Sequence, residues 1–111
     1  MQTTIENEFW RLSLLPHLGA SLTQLQAKID GIWIDIMRPT PPELFKTQSS
    51  AKFSSYTLAP WSNRIPKGVF VFLGQEYQLK INIEKEQNAR HGDVQDRPWV
   101  VTQHGSSLRC E

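Results

Sequence analysis

The chain has 111 residues and a formal net charge of +1, and its acidic and basic residues are interspersed. This length is enough for one domain, and the weak charge excludes the basic footprint of a nucleic-acid binder. The sequence has neither an apolar run of the ~18 residues that span a bilayer nor a signal-peptide pattern. We therefore expect no membrane partner and a cytoplasmic location. The single Cys110 excludes an intrachain disulfide and agrees with a reducing compartment.

The N-terminal third has the two-residue periodicity that is typical of β-strands. The segment FWRLSLL at 9–15 predicts a first strand, and residues 20–37 predict a β-hairpin. Asp30-Gly31 would form its turn, because a two-residue hairpin turn needs positive φ angles, which glycine adopts without strain. One face of the return strand would carry three isoleucines: Ile32, Ile34 and Ile36.

The middle segment, residues 38–55, is too rich in proline for a central strand. Within it, PELFKTQ predicts a short helix with Pro42 near its first turn. A brief strand is expected at 56–58.

The C-terminal half predicts a second hairpin at 68–81, with its turn at Gly74-Gln75. A polar loop at 84–97 and a last strand at 98–103 follow, and the remaining residues are expected to trail off. Several short strands joined by hairpins predict an all-β fold, an antiparallel sandwich or a barrel, in a single domain over residues 1–111.

The first candidate for chemistry is Arg64, which follows Trp61 closely. An arginine fork can hold two oxygens at once, and a tryptophan offers a flat apolar plate, so the pair suits a sugar ring. The plainer interpretation is a surface arginine beside a core tryptophan. Spacing alone favours that interpretation, since ligand sites need several convergent polar groups.

The second candidate is His91-Gly92, in which the histidine can transfer a proton near neutrality and the glycine lets the loop turn. A solvated loop histidine is the plainer interpretation here too. His91, Asp93 and His104 lack the spacing of a metal site, and we expect neither a metal nor a cofactor. Cys110 has no neighbouring base, and the serines at 49, 50, 54 and 55 lie in no nucleophile elbow.

Four motifs in order resemble the N-terminal part of the aldose 1-epimerases, the galactose mutarotase family. They are GASLTQLQAKIDGIWIDIM, PWSNRI, GVFVFLGQEYQLKIN, which ends at Asn82, and RHGDVQDRPWVV. The resemblance runs from about residue 9 to residue 103 and implies the N-terminal strands of a mutarotase-type antiparallel β-sandwich.

The resemblance also implies a site that binds a hexose. Arg64 would hydrogen-bond sugar oxygens, His91 would bind the sugar and stabilise charge near the ring oxygen, and Asn63 would position the loop. Trp61 and Trp99 would pack beneath the pocket or form its wall. The implied reaction interconverts α and β anomers by opening and reclosing the ring, without a cofactor.

The family's principal acid and base lie in later segments that this sequence does not contain, so we expect an incomplete catalyst: a fragment, a truncated gene product or one part of a split protein. Three functions stay open: an isomerase that shares its pocket, a non-catalytic sugar-binding relative, and a β-sheet interaction module. Open strand edges and uncovered isoleucines and phenylalanines predict self-association or a complementary chain.

Overall fold

The computed structural model describes residues 1–111 and divides into two compact units. The first unit consists of Met1–Thr57 and Gln95–Glu111, and the second of Leu58–Val94. Apart from two short 3₁₀ helices, all regular structure is β-strand, and every strand pair is antiparallel, which confirms the predicted fold class. None of the helices has the length and apolar character that crossing a membrane requires.

The first unit is built on a four-stranded antiparallel meander in which neighbouring strands follow the chain order. Its strands are β1 (Thr3–Glu6), β2 (Trp10–Leu15), β3 (Ser21–Ile29) and β4 (Ile32–Asp35). The predicted first strand and first hairpin are confirmed. Asp30 and Gly31 form the turn with φ angles of 50° and 79°, as a two-residue hairpin turn requires. Strand β1 was not predicted from the sequence.

The two faces of this sheet differ in chemistry. Because directly opposite residues share a face, the pairs Leu12↔Leu25 and Ala27↔Ile34 build an apolar face. The opposite face carries polar contacts, including an ion pair of 2.6 Å between Arg11 and Glu6, and the Arg11 guanidinium lies 4.5 Å from the centre of the Trp33 ring. Three isoleucines are exposed to solvent: Ile32 of β4 by 67%, Ile34 of β4 by 43%, and Ile36, which follows the strand, by 52%.

The buried core of the first unit is formed by Leu15, Leu18 and Phe53. Leu44, Phe45 and Tyr56 pack against it. The 3₁₀ helix Pro42–Lys46 confirms the predicted short helix. The brief strand predicted at 56–58 is wrong, because the chain makes only an isolated bridge between Leu22 and Ser55 there, and Tyr56 is used for packing instead.

Where the chain rejoins the first unit at Gln95, side-chain and backbone hydrogen bonds hold it in place. The Asp96 carboxylate accepts hydrogen bonds from the Ser50 amide (2.7 Å) and the Ser50 hydroxyl (3.0 Å). Gly19 donates its amide to Arg97 O at 2.7 Å. A Cβ at Gly19 would lie 2.1 Å from Gln95 O, so only glycine permits this approach. Ser50 is fully buried and has a structural role.

The first unit ends in a hairpin of β9 (Val101–His104) and β10 (Ser107–Cys110). The last predicted strand begins three residues later than expected, at Val101 rather than at residue 98. The expected trailing end is wrong, because Gly105, with a φ of 58°, permits a turn and the end of the chain pairs back.

The second unit contains two antiparallel pairs. These are β5 (Arg64–Pro66) with β8 (Asn88–Arg90), and β6 (Val69–Phe72) with β7 (Gln75–Gln78). The polar loop predicted at 84–97 needs correction, because this segment contains β8 and the 3₁₀ helix Glu84–Glu86. Ala89 of β8 is the buried hydrophobic residue of this unit, with 0% exposure.

The second hairpin is confirmed, but its turn lies one residue earlier than predicted. Leu73 and Gly74, with φ angles of 49° and 77°, form the turn, and Gln75 is already in β7. Gly74 thus takes the second turn position, as Gly31 does in the first hairpin. Across the strands, the rings of Phe70 and Tyr77 stack with centroids 5.2 Å apart.

Candidate functional site

The short ladder of β5 and β8 joins the two motifs that carry the predicted site. Arg64 lies directly opposite Arg90, and Ile65 lies opposite Ala89. One step further along, the His91 amide donates to Asn63 O at 3.0 Å. The Asn63 side chain accepts a hydrogen bond from the Arg64 amide at 2.9 Å. Asn63, Arg64 and His91 therefore meet at one end of the same two-stranded element.

The His-Gly loop depends on glycine for a close backbone approach. His91 and Gly92 both have left-handed backbone angles, with φ of 61° and 71°. A Cβ at Gly92 would lie 1.7 Å from Ala59 O, well inside the van der Waals limit. The Asp93 amide donates to the same Ala59 carbonyl at 3.0 Å. The glycine thus fixes the loop against Ala59 and sets the direction of the preceding imidazole.

The His91 ring is oriented by a hydrogen bond of 2.8 Å between Nδ1 and Ser62 O. A carbonyl oxygen only accepts, so Nδ1 carries a hydrogen. In the neutral ring, Nε2 then carries the lone pair and accepts from a donor. In the imidazolium form, Nε2 donates instead. The same side chain can therefore accept from a hydroxyl or donate to an ether oxygen, depending on its protonation state.

Arg64 forms a two-point ion pair with Glu86, a residue to which the sequence motifs assign no role. Nε lies 2.6 Å from Oε2 and Nη2 lies 3.4 Å from Oε1. The hydrogen bond that Arg64 donates to Glu86 and the charge of that carboxylate raise the pKa of Arg64 above its ordinary value. The pKa of Glu86 is lowered, chiefly by the hydrogen bond from Arg64, with smaller contributions from Asn88 and from the charges of Arg64 and Arg90 and with opposition from desolvation. Both partners are exposed, so the pair orients the guanidinium more than it stabilises the fold.

Asn82 holds the strand that leads into the His-Gly loop. Its Oδ1 accepts from the Arg90 amide at 2.7 Å, and its Nδ2 donates to Arg90 O at 2.8 Å. The same Nδ2 donates to Gly92 O at 3.3 Å. The asparagine side chain therefore bonds to both the amide and the carbonyl of Arg90, as the backbone of a neighbouring strand would. Asn82 ends one of the family motifs, but this role was not predicted, because only long-range pairing reveals it.

The two tryptophans of the predicted site belong to different units. Trp61 donates its Nε1 hydrogen to Ala89 O at 3.2 Å, which anchors the segment before Asn63 to β8. Trp99 belongs to the first unit, where its amide donates to Pro16 O at 2.8 Å. The structure therefore brings Trp61 together with Asn63, Arg64 and His91 within one unit, and Trp99 is not part of that unit.

Other side chains of chemical interest are used elsewhere. The His17 Nε2 lies 3.1 Å from Phe45 O, and no three His, Cys, Asp or Glu side chains gather as a metal ion would need. An apolar pocket of about 190 Å³ lies on the apolar face of the meander, lined by residues of the first unit. It is smaller than the ~300 Å³ at which ligand pockets begin. Its lining residues are Ile5, Glu6, Asn7, Trp10, Leu12, Leu25 and Ser106.

The fold is similar to solved structures of mutarotase-like proteins. One is a galactose mutarotase-like protein from Clostridium acetobutylicum, with a TM-score of 0.67 and 19% identity over 92% of this chain and 30% of that chain. Another is an Escherichia coli K12 protein described as a "putative aldose 1-epimerase", with a TM-score of 0.68 and 23% identity over 96% of this chain and 34% of that chain. At these identities the likeness shows the fold, and the implied sandwich type is confirmed.

The sequence match identifies the family. The family model of aldose 1-epimerase matches residues 1–110, and the chain belongs to that family. Two uncharacterized proteins of Escherichia coli K12 are also similar: YphB is 32% identical over 85 residues, 74% of this chain, and YihR is 44% identical over 46 residues, 41% of this chain. The matches span 28% of YphB and 15% of YihR, so the chain corresponds to under a third of these curated relatives.

Proposed function

We propose that this chain supplies the sugar-binding corner of an aldose 1-epimerase-type protein that acts on the anomers of a hexose. The observation that carries the proposal is the hydrogen bond of 3.0 Å from the His91 amide to Asn63 O. It joins the Asn-Arg-Ile motif to the His-Gly motif across the ladder of β5 and β8. Arg64 and His91 therefore start from neighbouring positions of the ladder, and we propose that both side chains bind one sugar ring.

The two side chains would have different tasks at the sugar. Arg64 keeps part of its fork for hydroxyl oxygens, because Nε and Nη2 are the atoms bound to Glu86. His91 would bind near the ring oxygen through its imidazole, whose orientation is set by the hydrogen bond between Nδ1 and Ser62 O. Donation from Nε2 requires the imidazolium form, which would stabilise charge on the ring oxygen as the bond from C1 to that oxygen breaks.

The reaction also needs a general base, and we assign no residue of this chain to that role. A base must remove the proton from the C1 hydroxyl while an acid protonates the ring oxygen, after which the open chain rotates and recloses. His91 serves as an accessory donor. We therefore expect the chain by itself to bind a hexose without accelerating mutarotation. Trp61 would support the binding segment from β8, and a role for Trp99 at the sugar stays a prediction.

The test is a titration of galactose and glucose into the chain, followed by tryptophan fluorescence, together with polarimetry on the α anomers. We expect saturable binding and no acceleration of mutarotation. Arg64→Ala should weaken binding, whereas Arg109→Ala, which removes another ion-paired arginine, should not. Binding that is absent, or unchanged by Arg64→Ala, would contradict the proposal.

A partner is proposed from the uncovered apolar side chains. Ile32 and Ile34 of β4 and Phe72 of β6 are exposed by 67%, 43% and 59%. Large apolar residues that repeat along a strand face favour contact with another surface. We propose that the chain self-associates or pairs with a complementary chain through these strands. Sedimentation velocity over a range of concentrations should show association, and Ile32→Ser with Ile34→Ser should reduce it. A sharp monomer at every concentration would contradict it.

A further inference from the structure

The hairpin of β6 and β7 forms a sheet of two strands, so β6 has one edge without a partner strand. The hydrogen bond of 2.8 Å from the Leu79 amide to Gly68 O shows which residues of β6 bond toward β7. In an antiparallel pair, every second residue exchanges hydrogen bonds with the partner strand. The two phenylalanines of β6 therefore bond toward β7, and the backbone groups of Val69 and Val71 point toward the free edge.

This free edge lacks the residues that usually protect an edge from pairing. Natural proteins place charges or proline on a free strand edge, because an unprotected edge pairs with another chain. The sequence of β6 is VFVF, which contains neither, whereas β7 carries Glu76 and β4 carries Asp35. The strand is also accessible, since Val71 is exposed by 64% and Phe72 by 59%. The edge of β6 is thus open to a further strand.

We infer that the free edge of β6 pairs with the same edge of a second copy of this chain, so that the two hairpins join into one antiparallel sheet. A two-fold axis brings the same surface of both copies together. An edge that carried a charge would bring like charges close to each other there, and β6 carries none. The inference rests on the self-association proposed above and names its partner and its strand.

The residues of β6 favour one register for this pairing. With the axis at Phe70, Val69 of each copy lies opposite Val71 of the other, and each pair exchanges both of its backbone hydrogen bonds. An axis at Val69 would instead set Val71 opposite Lys67. An axis at Val71 would set Val69 opposite Leu73. Lys67 and Leu73 have φ angles of 56° and 49°, which lie outside the extended region that a strand requires.

This register also brings exposed aromatic rings together. Phe70 stacks on Tyr77 with ring centroids 5.2 Å apart, and the two residues are exposed by 38% and 43%. Phe70 would lie opposite Phe70 of the second copy in a pair without direct hydrogen bonds, in which side chains are close. The row of rings would then continue across the axis into the second hairpin. Aromatic cross-strand pairing and the burial of exposed apolar surface would both favour the dimer.

Disulfide cross-linking of the full chain tests the register, with Cys110→Ser to remove the native thiol. Phe70→Cys should give a covalent dimer, because the two Cα atoms would be about 4.5 Å apart, within the range that a disulfide bridges. Val71→Cys is the matched control, since its two copies would lie on a diagonal about 7–8 Å apart and should cross-link far less. Equal yields from the two variants, a higher yield from Val71→Cys, or no covalent dimer from either would overturn the register.

Sedimentation velocity tests the strand. Because the contact is short, we expect a dissociation constant between about 1 µM and 1 mM. Val71→Lys should raise it at least about tenfold, since a charge protects a strand edge from pairing. Val100→Lys is the matched control at a valine outside the hairpin that is exposed by 69%, and it should change nothing. Val71→Pro removes an amide that does not bond to β7, so it should also prevent pairing, and circular dichroism would verify that both variants are folded.

The outcomes separate this inference from the broader proposal of association. Val71→Lys and Val71→Pro that associate like the unchanged chain would overturn the inference. If Ile32→Ser with Ile34→Ser reduces association in the same experiment, the broader proposal remains supported. A monomer at every concentration would refute both. The sugar site is tested separately by titration.

Discussion

The two units of the chain are held together in different ways. The first unit buries five hydrophobic residues, namely Leu14, Leu15, Leu18, Ala27 and Phe53, whereas the second buries only Ala89. In the second unit, side chains bind the backbone instead: Asn82 holds Arg90, Trp61 holds Ala89, and His91 holds Ser62. The candidate site is therefore held by hydrogen bonds from side chains to the backbone, in a unit with almost no hydrophobic core. Substitutions should therefore act by different physical causes in the two units.

The largest effect is expected from the core of the first unit. Leu15→Ala removes a side chain that is 1% exposed, and it should lower the free energy of unfolding by about 3 kcal/mol through lost burial and a cavity. Leu73→Ala, at a site that is 89% exposed in the second unit, should change it by less than about 0.5 kcal/mol. Urea denaturation followed by circular dichroism measures both. Equal losses would contradict the assignment of the core.

The next effect is expected from the close approach at the His-Gly loop. Gly92→Ala would place a Cβ 1.7 Å from Ala59 O, and it should cost about 2–3 kcal/mol. Gly74→Ala is the matched control, because Gly74 also has a positive φ but a Cβ added there would have nothing within 4 Å. It should cost only about 1 kcal/mol. Hydrogen exchange of the Asp93 amide reports on the loop, and similar exchange rates in the two variants would refute the clash.

A smaller effect is expected from the hydrogen bonds between the Asn82 side chain and the backbone of the His-Gly loop. Asn82→Asp keeps an acceptor for the Arg90 amide but loses the donor to Arg90 O and Gly92 O. It should cost about 1–2 kcal/mol, since each hydrogen bond contributes about 1 kcal/mol. The matched amide-to-acid change Gln103→Glu removes one exposed bond to Gly105 O and should cost less. If amide exchange at His91 is the same in both variants, Asn82 does not hold the loop.

The smallest effect on stability is expected from the ion pair of Arg64 and Glu86. The pKa of Glu86 is lowered in the folded chain, so its contribution is present above the pKa of the unfolded chain and is lost as the pH falls through the folded value. The raised pKa of Arg64 keeps that group charged throughout this range. Acidification below about pH 4, the usual range of a glutamate, should therefore release the guanidinium. The Arg64 Hε resonance should follow this titration, and Glu86→Gln should abolish the change. A titration that survives Glu86→Gln would point to a different partner.

The contrast between the units also explains what the sequence can predict. Local patterns predict hairpins, because the alternation of residues 20–37 and the pair Asp30-Gly31 lie within one short segment. The same logic misplaced the second turn by one residue, because Leu73 takes a positive φ that its side chain does not suggest. Strands β1, β5, β8 and β10 were missed, since each is only three or four residues long and partly polar.

The candidate site likewise combines residues that local motifs predict with contacts that only the fold reveals. Arg64, His91 and Gly92 were predicted, since family motifs carry them. The pairing of Glu86 with Arg64 was not, because it depends on a contact between distant residues that spacing along the sequence does not contain. Acidic residues in the same region as a motif arginine are a signal for such a partner. The sequence alone does not distinguish them from charges on a solvated surface.

The most direct test of the central claim is a two-dimensional NMR titration of the chain with galactose and with glucose. The account predicts that the Arg64 Hε signal and the His91 ring signals shift together and give one dissociation constant for each sugar. Arg64→Ala should weaken the response at His91. Signals that shift independently, or that move only around the apolar pocket at Leu12 and Leu25, would contradict the claim that Arg64 and His91 bind one sugar.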